Sequence, residues 1–234
     1  MFPLGVLKKA NQGAGQNLTL ALLHFDGANG STTFTDSSPY NRTVTTFGGA
    51  VNSTSQPVFG TSSLYLPDGT SYISLPVAAA NFGGSDFCIE MFVKPTSKGL
   101  YGNLMGHNLA ATGFVGFNLQ WAYGSNKVRL LSGYVGSGVW NIDSESTIDV
   151  PLSVNTHLAL VRTGQVIRLY IGGQVAIEVD SPLTLWDESV EGAFAVGAGD
   201  GNNRFGVGYI DEFRIRKEAV YTGNFTPPAA PFAY

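Results

Sequence analysis

An all-β fold, specifically a two-sheet antiparallel β-sandwich, is the class this sequence predicts, and three observations carry the prediction. Residues 157–179 read HLALVRTGQVIRLYIGGQVAIEV, three apolar runs parted by Thr163-Gly164-Gln165 and by Gly172-Gly173. Those parting residues are hairpin chemistry, because glycine reaches the positive φ that tight two-residue turns require, so the stretch is expected to be a three-stranded meander. About a dozen short segments alternate apolar and polar residues at period two, and no apolar pattern of helical period runs for a helix length. Thirty glycines and 12% aromatic residues among 234 suit short strands joined by tight turns.

Residues 1–17 lack strand alternation and read as an arm, suited to being held by a neighbouring subunit. Residues 18–25 are the first expected strand, followed by Asp26-Gly27 and a polar loop that carries Asp36 and Asn41. Further strands are expected at 44–47, 63–67 and 72–75, the last two joined by the Asp68-Gly69 turn. In 87–93, Phe87, Ile89, Met91 and Val93 fall on one face and Cys88, Glu90 and Phe92 on the other. The same alternation in 114–121 turns Val115, Phe117, Leu119 and Trp121 inward and leaves Asn118 and Gln120 on the outer face. A strand at 127–131 follows, and 133–156 is looser.

Within the meander, Ile167, Leu169 and Ile171 share the core face, while Val166, Arg168 and Tyr170 take the wet one. Residues 186–191 are expected to make a short helical turn before extended structure resumes at 193–197. The last strand, 206–216, breaks the period: Ile210 and Phe213 both belong inside but are three apart, so a β-bulge is expected at Asp211-Glu212, re-aiming the Asp211 carboxylate. One domain, 18–226, thus lies between the arm and a proline-rich tail, 227–234, expected to run extended along the surface.

Seventeen acidic residues against thirteen basic give a net charge of −4, and only 13% of residues are charged. No basic stripe exists to neutralise phosphates, so nucleic acid is excluded as a partner. The single cysteine, Cys88, forbids an intrachain disulfide and reads as an inert strand residue. No run reaches the roughly 20 apolar residues of a membrane helix, so no membrane insertion is expected. The opening MFPLGVLKKANQGAGQ places its lysines after a short apolar segment, the reverse of a secretory signal, which points to synthesis in a reducing compartment.

Three stretches together resemble the laminin-G-like, concanavalin A-like lectin/glucanase jelly-roll superfamily. They are LLHFDG at 22–27 with the loop Asp36-Ser37-Ser38-Pro39-Tyr40-Asn41 that follows it, the central HLALVRTGQVIRLYIGGQVA, and the closing YIDEFRIRKEAVYTGNFTPP, spanning residues 18–228 in all. Domains of this kind are frequent in bacteriophage virion proteins, and occur in secreted lectins and carbohydrate-active enzymes. The resemblance implies a non-enzymatic structural or adhesion protein of a bacteriophage virion, tail-associated or capsid-decorating, made in the host cytoplasm. Its partners would be other virion proteins, further copies of itself and a surface glycan. The alternatives are a free carbohydrate-binding lectin module and a glycoside hydrolase.

The resemblance also implies a structural calcium ion between the loop after the first strand and the last strand. Asp26, Asp36 and Asp211 match the acidic positions, with Asn41 or loop carbonyls completing the about six to eight oxygens that calcium takes. The competing reading makes Asp26 and Asp36 turn-formers that bond nearby backbone amides. Candidate glycan contacts are the aromatic rings of Tyr123, Trp140, Tyr170 and Trp186, with the amides of Asn118 and Gln120 for hydroxyl groups. Catalytic residues are not expected. The E-x-D-x-x-E order of the laminarinase-type relatives is absent, Glu90 stands alone on its strand, and His24, His107 and His157 lack metal-ligand spacing.

Overall fold

The computed structural model describes residues 18–98, 102–108, 116–133, 138–181, 192–198 and 206–233. In chain order its strands are β1 (Thr19–Leu23), β2 (Thr45–Phe47), β3 (Val51–Ser53), β4 (Ser63–Leu66), β5 (Tyr72–Pro76), β6 (Phe87–Lys98), β7 (Asn103–Asn108) and β8 (Gly116–Trp121). They continue as β9 (Val128–Gly133), β10 (Ile142–Glu145), β11 (Thr156–Thr163), β12 (Val166–Ile171), β13 (Gln174–Asp180), β14 (Ala193–Val196) and β15 (Gly206–Arg216). One 3-10 turn, Val77–Ala79, is the helical structure among the described residues, and none of it is long and apolar enough to cross a membrane.

Two antiparallel sheets form the sandwich. The first is eight-stranded in the order β13-β12-β11-β6-β15-β4-β3, with β1 also on β15, and the second runs β10-β9-β8-β7-β14-β5-β2. Between them lies one continuous core, to which alternate residues of both sheets contribute, among them Leu23, Phe87, Ile89, Phe117, Leu160, Phe194 and Phe213. The meander is as expected: β11, β12 and β13 pair in sequence, with Gly164-Gln165 and Gly172-Gly173 as the two-residue turns. Gly172 and Gly173 both have positive φ, 59° and 80°, as such a turn demands.

The first strand, β1, lies beside the last, β15. Its Phe213–Arg216 stretch pairs with β1 and its Gly208–Ile210 stretch pairs with β4, both along the same edge, while β6 occupies the other edge. The ladder to β6 shifts between Asp211 and Arg214, and Glu212 has a φ of 50°. This is the expected bulge, and it marks where β15 passes from one neighbour to the other.

Two outward faces differ from expectation. Cys88, Glu90, Phe92 and Tyr170 point away from the core yet are buried, because the residues after β15 fold back across that face. Tyr221 and Phe225 pack with Tyr170, Cys88, Ala159 and Val161, and Phe232 packs with Phe92 and Leu22. The C-terminal residues are tied to this face: Arg214 Nη1 donates to Ala233 O at 2.6 Å and Phe225 N to Gly173 O at 2.9 Å. On the second sheet Asn118 and Gln120 do face outward, but they too are buried. Asn118 sits beside Gly106, and a Cβ there would come within 2.0 Å of its Oδ1, so the amide lies down over the glycine instead of standing out.

Candidate functional site

A hollow of about 200 Å³ opens beside the loop that follows β1. Its shape is set by Asn52 on β3, a buried residue that staples the loop from 25 positions away. Asn52 Nδ2 donates to Ser31 O and Thr33 O, both at 3.0 Å, and its Oδ1 accepts from Gly27 N at 3.3 Å. Phe25 is forced to a φ of 60°, an uncommon conformation for an aromatic residue and a strain that packing must repay. It does so edge-to-face against Phe34, with ring centroids 5.7 Å apart, and both rings border the hollow.

The polar lining is His24, Asp26, Thr33, Thr35 and Ser37 together with Asn52. His24 is fixed by the bulge: its Nδ1 lies 2.9 and 3.0 Å from the two carboxylate oxygens of Glu212. Glu212 is 1% exposed and also accepts a 2.7 Å bond from Phe232 N. With Nδ1–H donated to that carboxylate, Nε2 is the ring atom open to a ligand. Among the described residues the hydroxyls of Thr33, Thr35 and Ser37 make no internal hydrogen bond, nor does Asp26 Oδ2. The hollow therefore offers donors and acceptors that the fold has not used.

The residues expected to hold calcium are not brought together. Asp36 Oδ1 accepts from the amides of Leu22 and Ser38, both at 2.9 Å, and its Oδ2 from Arg42 N at 2.9 Å and Ser38 Oγ at 2.8 Å. Asp211 accepts from the amides of Val58, Phe59 and Glu212, and Asp26 Oδ1 from Thr61 N at 2.5 Å. Asn41 turns the loop with a φ of 43°. Each carboxylate faces N–H groups, whose positive ends stand where a cation would sit, and among the described residues no three His, Cys, Asp or Glu side chains converge. The residues present do not fit a calcium ion; they are loop-holders. Burial pushes the Asp211 carboxyl up to about 7, against the amide bonds from Val58 and Phe59.

Of the expected glycan contacts, Tyr123 is 67% exposed and Trp140 half-buried. Tyr170, Asn118 and Gln120 are buried, the first beneath the C-terminal residues, so they offer no open surface to a sugar. Trp186 lies outside the described residues, as do Val115, the expected helical turn and the N-terminal arm. Glu90 is enclosed: its Oε1 accepts from Arg214 Nη2 at 2.5 Å and Nε at 2.9 Å, and its Oε2 from Tyr221 Oη at 2.8 Å, with His157 Nε2 3.1 Å away. The hollow itself escaped the sequence analysis, because only folding brings Asn52 and Glu212 to the loop; the strand-ending FDG of LLHFDG was its one local signal.

Two stacked antiparallel sheets, a first strand laid on the last and a loop-built hollow at their rim are accompanied by a match in sequence. A family model described as the concanavalin A-like lectin/glucanases superfamily matches residues 67–221. The chain belongs to that superfamily. No curated protein sequence matches it. Among solved structures of this superfamily's fold, domain 4 of AbnA, a GH43 extracellular arabinanase from Geobacillus stearothermophilus, in complex with arabinotriose, superposes with a TM-score of 0.64. It is 21% identical, and the match covers 87% of this chain and 94% of that one. The binding domain of Paraclostridial Mosquitocidal Protein 1 also gives 0.64, at 15% identity, over 87% of this chain and 49% of that one. The receptor binding domain of botulinum neurotoxin C/D mosaic serotype gives 0.59 at 12% identity, again over 87% and 49%. This superfamily member spans about half the length of the toxin domains it matches. At such identities the likeness concerns the fold.

Proposed function

We propose that this domain is a non-catalytic glycan-binding module whose ligand seat is the hollow at His24. The observation that carries the reading is the set of uncommitted polar groups there, namely His24 Nε2, Asp26 Oδ2 and the hydroxyls of Thr33, Thr35 and Ser37, beside two aromatic side chains. Sugar hydroxyls both donate and accept, so a site with mixed donors and acceptors on a rigid rim serves them. The structural neighbours lend support, one solved with arabinotriose and others named as binding domains. The enclosure of Glu90 supports a role without catalysis, since a carboxylate bonded on every side has no lone pair for a substrate.

As part of a virion, such a module would meet glycans of a host surface; support for that setting is the opening FDG and closing IDEFRI stretches. A glycan array on the wild-type chain and on Thr35→Trp tests the binding. Thr35 is exposed, so the indole fills the hollow without disturbing the core. Wild-type binding that Thr35→Trp abolishes is the expected result. Binding unchanged in the variant would overturn the seat, and no binding at all would overturn the function.

A further inference from the structure

We infer that the hollow selects a single neutral sugar residue and rejects anionic ones such as sialic acid and uronic acids. This rests on the glycan-binding reading of the same hollow and adds the class of ligand to it. The size argument is direct: about 200 Å³ is below the about 300 to 1,000 Å³ of pockets that enclose a drug-sized molecule, and suits one sugar ring.

The charge argument comes from what lines the hollow and what stands behind it. Asp26 lines it and leaves Oδ2 without an internal partner, while Glu212 stands behind His24, almost fully buried. Among the described residues no lysine or arginine lines it. Arg214, on the strand beside β1, is engaged by Glu90 and by Ala233 O. Arg42, on the far side of the loop, lies 4.3 Å over the Tyr40 ring and donates to Ala78 O. A sugar carboxylate entering here would face the Asp26 carboxylate, with the Glu212 carboxylate behind His24, and no lysine or arginine among the described lining residues to answer it; like charges brought together disfavour binding. A neutral ring meets no such penalty. Its hydroxyls can donate to Asp26 Oδ2 and His24 Nε2 and accept from Thr33, Thr35 and Ser37.

The test is a calorimetric titration of the full chain with lactose, arabinotriose and cellotriose as neutral probes, and with sialyllactose and trigalacturonate as anionic ones. At least one neutral probe should bind, with every anionic probe about tenfold weaker or more. Asp26→Asn, whose Oδ1 still accepts from Thr61 N, should narrow that gap at least about threefold. An anionic probe that binds the wild type as tightly as the best neutral one overturns the selectivity and leaves glycan binding standing. A gap unchanged in Asp26→Asn likewise overturns it. Failure of every probe, neutral and anionic, removes the glycan-binding reading and this inference together.

Discussion

Tyr221 donates its phenolic hydrogen to Glu90 Oε2 at 2.8 Å, joining the C-terminal segment to the middle of the first sheet across 131 residues. The bond completes a buried cluster in which Arg214 and His157 take the remaining carboxylate positions. A hydrogen bond to a charged group contributes about 1.5 to 3 kcal/mol. Tyr221→Phe should lower the unfolding free energy by that amount in a urea titration, and should make residues 217–233 more sensitive to protease. Unchanged protease sensitivity would show that the apolar contacts of Phe225 and Phe232 hold the segment unaided.

Two buried groups each lower stability as the medium turns acid, and a third opposes them. His107 is buried, accepts from Phe117 N at 3.2 Å, and is pushed down by burial to about 3 from its ordinary 6.5. A depressed pKa means that the unfolded chain takes up the proton first. The stabilising effect is therefore complete above pH 6.5 and is lost as pH drops toward 3, by up to about 1.4 kcal/mol per pH unit. Glu90 is also held below its ordinary 4.5: burial opposes this, but the His157 bond and the Arg214 charge outweigh it. Its contribution is present above pH 4.5 and is lost below. Asp211, raised by burial to about 7 from its ordinary 3.8, works the other way, because there the folded chain takes up the proton first and gains stability as pH falls between those values. Melting temperature against pH should therefore stay nearly level from 6.5 to 4.5 and fall below 4.5. In His107→Gln, which keeps an acceptor for the Phe117 amide, melting temperature should instead rise as pH falls from 6.5 to 4.5; a profile identical to wild type would refute the assignment.

Gly173 and Gly164 separate two costs of glycine replacement. Both have positive φ, 80° and 60°, but a Cβ on Gly173 would lie 2.0 Å from Phe225 O, whereas one on Gly164 meets open space. Gly164→Ala should cost about 1 kcal/mol of backbone strain, and Gly173→Ala more than about 2. Equal losses in chemical denaturation would mean that the C-terminal segment yields freely at Phe225.

Because Asp26, Asp36 and Asp211 are each already held by backbone amides, EDTA and added calcium should both leave the melting temperature where it is. Asp36→Ala strips an acceptor from the buried Leu22 amide and should cost about 1 to 3 kcal/mol. A calcium-dependent rise in melting temperature would contradict the loop-holding role.

Alternation in the sequence was enough to place the meander and the bulge at Asp211-Glu212, because each is a local pattern of period two or a local breach of it. Strands β3, β7 and β10 were not legible: they are short, or carry polar residues such as Asn52, Asn103 and Asp143, whose partners come from elsewhere in the chain. Period two states which side chains share a face; it is silent on what covers that face. That is why Glu90 and Tyr170, assigned to the wet side, are buried under Tyr221 and Phe225, and why His24 gains its role from Glu212, 188 residues away. The strand pattern was thus determined by the sequence itself, through side-chain alternation on each extended segment. The closed outer face and the open hollow were decided by tertiary structure, since both depend on contacts between segments that the local pattern does not connect.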